Sequence, residues 1–239
     1  MKKILLPLGM SVILLLSSFT GSSVRSEKPM LTTYQKDVIT YFKEIALGFE
    51  FGIAKKITRK WKTNMRLFVD GTPTPALLSE LKSVVAELNL LASDDFKIEV
   101  VSRRELSNFY VFFGAGSQFA AQYPSDAKLA NNNSGVYRIF WNNNDEITRG
   151  RMFVNMVNTS EEEQRHVIRE ELTQALGLGR DSDMFPGSIF QSSWSTPTSY
   201  SQIDKDIIRL LYHPHMPIGL TASEVDALLT EILLAENGA

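Results

Sequence analysis

The chain contains no cysteine. Disulfides, a thiol nucleophile, cysteine-ligated zinc and a lipid on a cysteine behind a signal peptide are all excluded. Histidine is scarce, at three residues in 239, which leaves His166, His213 and His215 as the whole supply for any imidazole-built centre. Neither charge is in excess: a formal net charge of −2 gives no electrostatic reason to expect nucleic acid or an anionic membrane surface as partner. Long apolar runs are missing apart from Ile4 to Leu16, and that run is shorter than the roughly 20 residues that span a bilayer. No internal repeat and no low-complexity excess is present, so one globular core is expected.

The apolar run has a telling setting. Lys2 and Lys3 precede it, and Ser17, Ser18, Thr20, Gly21, Ser22 and Ser23 follow it, the n-, h- and c-regions of a secretory signal peptide over residues 1–23. Cleavage near Ser23 removes two lysines and no acid, taking the net charge from −2 to −4. The expected product is exported, periplasmic or secreted, with no transmembrane segment left. Residues 24–64 are expected to form an N-terminal helical segment and residues 65–239 the main domain, packed as one unit with 31–64.

Apolar positions at helical spacing from Leu31 to Leu47 predict an amphipathic opening helix. Whether it packs on the main sheet or on another molecule is open at this stage. From Phe49 to Trp61, aromatics alternate with Lys55, Lys56, Arg59 and Lys60, and Lys62 follows. Such interleaving can bind nucleic acid, but in an exported acidic protein a solvated helix face is the expectation. Strands are predicted at Met65–Val69, Phe96–Val101, Phe109–Phe113, Val136–Trp141 and Met152–Val157, with a helix over Ala76–Leu91. Gly114 to Asn133, with its glycines, Pro124 and an asparagine triplet, reads as a long irregular connection. Its asparagines lack calcium-loop spacing. A strand–helix–strand start predicts a parallel pair with a crossover helix, and the closely spaced later strands predict antiparallel additions. Further helices are expected at Ile203–Tyr212 and from the Thr221–Glu224 capping box to Leu234.

Ser160 with Glu163 gives a second capping box, opening a helix to Leu176 that stops at Gly177. Along it, Glu170-Glu171-Leu172-Thr173-Gln174 and then Gly177 and Arg180 can be set on the zinc-peptidase signature H-E-x-x-H-x-x-G-x-x-H. Glu171 falls on the catalytic glutamate and Gly177 on the glycine. Glu170, Gln174 and Arg180 fall where the three histidines belong. A glutamine carbonyl is a poor zinc ligand and a guanidinium is none. Glu171 lies at the border of the buried arc of Ile168, Leu172, Ala175 and Leu176, where partial desolvation raises a carboxyl toward general-base use. His166 can reach Glu170 at i,i+4, though a solvent-facing histidine is the expected reading. Ser188-Ile189-Phe190 occupies the place of the Met-turn. Some metzincin-like families take an aspartate as third ligand, so Asp181 or Asp183 could join Glu170 and Gln174 in an oxygen-rich site for a hard divalent cation.

These residues, with Asp204, Tyr212 and Gly219-Leu220-Thr221, resemble an exported bacterial family, domain of unknown function 2927, over Arg169 to Val225 and back toward Tyr41. Leu220 stands where that family usually has methionine. The resemblance implies export, an aspartate-bearing motif and an α+β, zincin-like (metzincin-type) fold: a mixed, mainly β-sheet with helices on one face and a C-terminal helical part. It assigns no activity. Two functions are compatible with the residues. In one, the protein is non-catalytic and binds a peptide or cell-envelope component through Glu170, Gln174, Arg180, Asp181, Ser188 and Phe190, with no cofactor and with Arg180 neutralising Glu170 or Asp181. In the other, it is an unorthodox metallopeptidase with Glu171 as general base and Glu170, Gln174 and Asp181 holding a cation. The first leads, because charge pairing explains Arg180 and a cation does not. A metal-free acid/base pair of Glu170 and Glu171 is disfavoured, since adjacent helical residues diverge by about 100°, and no G-x-S-x-G elbow surrounds Ser188.

Overall fold

Six all-buried residues, Phe109-Tyr-Val-Phe-Phe-Gly114, decide the centre of the sheet. A strand apolar on both faces belongs where both faces are covered. In the structure, a computed structural model that describes residues 30–49 and 54–237, this strand, β3 (Phe109–Gly114), is the middle one of five in the order β2-β1-β3-β5-β4. The expected signal peptide lies outside the described residues. As predicted, β1 (Met65–Gly71) and β2 (Ile98–Val100) are parallel and joined through helix α2 (Pro75–Leu91). The expectation that the later strands all add antiparallel is corrected. β3 pairs parallel with β1, β5 (Ile147–Asn155) pairs parallel with β3, and only the terminal strand β4 (Gly135–Trp141) is antiparallel, to β5. Close spacing of β2 and β3 in sequence misleads because the apolar β3 crosses to the far side of β1.

Phe109, Val111 and Phe113 face the main core with Leu81, Val84 and Leu88 of α2 and with Ile168 and Leu172 of helix α5 (Glu161–Gln174). Tyr110, Phe112 and Phe153 face the other way. The stretch read as irregular covers them with two short helices, α3 (Gly116–Gln122) and α4 (Ala127–Asn132), anchored by Phe119 and Ala130. Helices this short carry too few turns for a periodic signal. The architecture is therefore mixed α+β, with its long helices on one face as expected and this small cover on the other.

Helix α1 (Thr33–Ala46) opens with a capping box in which Thr32 accepts from the Gln35 amide and the Gln35 side chain accepts from the Thr32 amide. Its buried stripe of Val38, Tyr41, Phe42 and Ile45 packs on α6 (Gln202–Leu211) and α7 (Ala222–Glu236), within this chain. The solvated basic helix expected before Trp61 is also corrected. Residues 54–60 are not helical, and Arg59 and Lys60 are buried on Asp145 (2.7 Å) and Asp94 (2.5 Å). Buried charges require such partners. Among the described residues, no helix is long and apolar enough to cross a membrane.

Candidate functional site

Helix α5 starts on the predicted Ser160/Glu163 box, with amide-to-hydroxyl and amide-to-carboxylate bonds of 3.2 and 2.6 Å. Just past its end at Gln174, the carbonyls of Ala175 and Leu176 are beyond the helical hydrogen-bond ladder. Trp61 supplies the first with a partner, its indole N–H donating to the Ala175 carbonyl (2.9 Å), and the Tyr212 hydroxyl donates to that of Leu176 (2.9 Å). The chain then turns at Gly177, φ +117°. On the core side Arg169 bonds Glu87 (2.8 Å) and Glu80 (3.0 Å) and lies over the Tyr200 ring at 4.5 Å, while Thr173 meets the Tyr200 hydroxyl at 2.7 Å. The helix is thus fixed in rotation. Another side of it, with His166, Glu170, Glu171 and Gln174, lines a cleft of about 250 Å³ together with residues 133–137 at the start of β4.

The fit of helix to strand is tight. A Cβ on Gly135 would lie 2.6 Å from Glu171 Oε1 and 2.3 Å from Val167 Cγ1, so only glycine lets the edge strand approach this carboxylate. Glu171 is 8% exposed, at the predicted border between core and cleft. Gln174 Nε2 donates to Asp181 Oδ1 at 2.7 Å. Glu170, Glu171, Gln174 and Asp181 are therefore brought together, as the motif spacing predicts.

His166 is not the solvent-facing residue expected. It is buried, with Nε2 3.2 Å from Glu170 Oε2 and Nδ1 2.9 Å from the Pro197 carbonyl. Burial pushes its pKa down, but the hydrogen bond and charge of Glu170, the Pro197 carbonyl and the charge of Asp181 outweigh it, and the net shift is upward. A histidine raised on folding stabilises the fold fully below its unfolded value of about 6.5. That contribution is lost as pH rises through the higher folded value. The melting-temperature advantage of the wild type over His166→Gln should therefore be larger near about pH 5.5 than near about pH 8.5. An equal difference at both would refute the pairing.

Four other candidate residues are elsewhere. Arg180 does not line the cleft, and Glu170 has His166 as its ion-pair partner instead. The bridge between Phe49 and Gly179 brings the next residue against the loop after α1, where a Cβ on Gly48 would be 2.9 Å from Arg180 Cδ. Ser188 and Phe190 are buried beneath the cleft and cannot touch a ligand there. Ser188 donates to Asp204 (2.6 Å), pairs with the Tyr41 hydroxyl (2.7 Å) and accepts the Phe190 amide (3.0 Å). Burial raises the Asp204 pKa, against the lowering by its Ser188 and Ser201 hydrogen bonds. Asp183 is exposed and takes the Ser193 hydroxyl.

A zinc centre does not fit these residues. The signature positions supply a carboxylate, an amide tied to Asp181 and a guanidinium outside the cleft, whereas zinc takes neutral imidazole or thiolate. Both nitrogens of His166 are engaged. Among the described residues, no group of three His, Cys, Asp or Glu is placed to hold a metal ion. One further cleft residue escaped sequence reasoning: Trp194, 69% exposed at the rim. Its signal was a lone tryptophan in a serine- and threonine-rich loop.

No curated protein matches this chain. Two solved structures of myroilysin are similar: one at TM-score 0.41 and 16% identity, covering 64% of this chain and 95% of that one, the other at TM-score 0.42 and 15% identity, covering 78% and 99%. A family model described as "Protein of unknown function (DUF2927)" matches residues 35–231. That span holds the whole sheet, the α5 motif and both walls of the cleft, and the chain belongs to this family.

Proposed function

We propose that this is an exported protein whose cleft holds an extended peptide, or a cell-envelope segment of similar shape, without cleaving it. The observation that carries this reading is the wall of the cleft. β4 is the terminal strand of the sheet, and its first residues line the cleft together with the acidic side of α5. A terminal strand is a template on which an extended chain can add by main-chain hydrogen bonds. Glu170, Glu171 and Asp181 favour a cationic side chain in that ligand, and the exposed Trp194 ring at the rim supplies an aromatic anchor. Export is supported by the pattern of residues 1–23. Hydrolysis is disfavoured by the donor set, which does not suit zinc.

Fluorescence anisotropy with labelled extended peptides bearing lysine or arginine tests this. Saturable binding is expected, with Trp194→Ala weakening it by about 2 kcal/mol, roughly thirtyfold, and no change in peptide mass over hours. A second reading keeps the position of Glu171 at the cleft border as its support: a hydrolase with that carboxylate as general base. Peptide cleavage that disappears in Glu171→Gln would overturn the binding reading in favour of this one.

A further inference from the structure

The face of the sheet turned away from α5 carries a second concavity that the cleft does not explain. Arg149 and Arg151 stand two apart on β5 and so share a face. The register sets Phe140 of β4 opposite Arg149, and sets Tyr110 of β3 and Arg138 of β4 opposite Arg151. Arg104, in the turn before β3, reaches over the same area. Arg104, Tyr110, Tyr123, Phe140, Arg149 and Arg151 border a pocket of about 350 Å³, within the range of small-molecule sites.

The guanidiniums are held by ring stacking. Arg104 lies 4.3 Å above Tyr110, Arg151 4.3 Å above Tyr123, and Arg149 4.6 Å above Phe140. Stacking fixes the plane of a guanidinium and leaves its N–H edge for an acceptor. Part of that edge is used, since Arg104 donates to the Tyr123 hydroxyl (2.9 Å) and Arg151 Nε to Asp126 (2.7 Å). Arg149 has no side-chain hydrogen bond or ion pair among the described residues.

Charge is unbalanced here. Arg138 and Arg151 are directly opposite across paired strands, which is unfavourable for like charges, and the buried Asp126 offsets it by forming an ion pair with each. Asp70 accepts from the Tyr110 hydroxyl (2.7 Å). Three guanidiniums, those of Arg104, Arg149 and Arg151, line the pocket and no carboxylate does, in a chain whose net charge is negative. Arg104 and Arg149 form no ion pair among the described residues.

We infer that this pocket binds a phosphate group carried on a small organic body. Guanidinium forks match phosphate oxygens in pairs, and the Phe140 and Tyr123 rings flank the remaining space. The inference does not rest on the function proposed for the cleft.

Calorimetric titration of the full chain with glycerol 3-phosphate forms one arm of the test. Sedimentation with phosphatidic acid vesicles, against phosphatidylcholine vesicles as blank, forms the other. Saturable binding is expected in at least one, at one site per chain. Arg104→Ala and Arg149→Ala should each weaken it about tenfold or more, the cost of one charge-assisted hydrogen bond. Arg103→Ala, which removes a neighbouring charge outside the pocket, should leave it unchanged. Saturation in solution assigns a soluble phosphate ester, and saturation on vesicles alone assigns a lipid headgroup. Arg149→Lys separates a fork from a bare charge and guards against a misfolded alanine variant. Binding as tight in Arg149→Lys as in the wild type, equal loss in Arg103→Ala, or no saturation in either arm at millimolar ligand would overturn the inference.

Discussion

Gly177→Ala is expected to destabilise the protein by about 4 kcal/mol, the combined cost of a strained backbone and a steric clash. At φ +117° an L-residue is disfavoured in itself. The added Cβ would also sit 2.0 Å from the carbonyl oxygen of Arg59, a backbone atom that cannot rotate away. Relief requires Gly177 to withdraw from Arg59 and Trp61, which breaks the cap Trp61 places on Ala175. For a domain of this size the melting temperature should fall by roughly 10 °C. A loss below about 1 kcal/mol in urea denaturation would show that the turn yields locally and that α5 is not pinned there.

Arg169→Met should cost a similar amount, about 3–5 kcal/mol, although methionine keeps much of the packing volume. The guanidinium is 3% exposed and meets Glu80, whose side chain is 12% exposed, and Glu87. Removing it leaves Glu80 largely desolvated with only the longer ion pair to Arg165 (3.9 Å), and the Tyr200 ring loses its stacked partner. Arg169 Nε finds no acceptor among the described residues, so the wild-type network already carries an unmet donor and its net benefit is smaller than its bond count suggests. Glu80→Gln added to Arg169→Met should therefore recover part of the loss. A strictly additive pair would refute the coupling.

Legibility followed the range of the interactions. Ser160 with Glu163, Thr221 with Glu224 and the Gly177 stop are local patterns, and each predicted its helix end within a residue or two. The grouping of Glu170, Glu171 and Gln174 on one side of α5 is likewise helical arithmetic. His166 was misread because its second partner, the Pro197 carbonyl, lies 31 residues away in a loop with no periodicity. Arg180 was misread because proximity in sequence to two acids says nothing of the Phe49–Gly179 bridge that turns it aside. Ser188 and Phe190 are read as ligand-facing from their place in the motif, but both are buried, and Asp204 and Tyr41 claim the Ser188 hydroxyl. Helices α3 and α4 announced themselves only through Phe119 and Ala130, and those mean little without the aromatic sheet face they cover.

The caps on α5 have a consequence for the order in which the site is built. The groups that hold its C-terminal carbonyls come from positions 114 residues upstream, at Trp61, and 36 residues downstream, at Tyr212. Thr58 further ties this upstream segment to Leu220, its amide donating to the Leu220 carbonyl at 3.0 Å. Contacts of such long sequence separation are slow to close. A chain emerging N-terminus first would present Glu170, Glu171 and Gln174 well before the Tyr212 hydroxyl that holds the end of their helix. The cleft takes its final shape only when almost the entire domain has been delivered, and a fragment ending before α6 would carry the motif without the site.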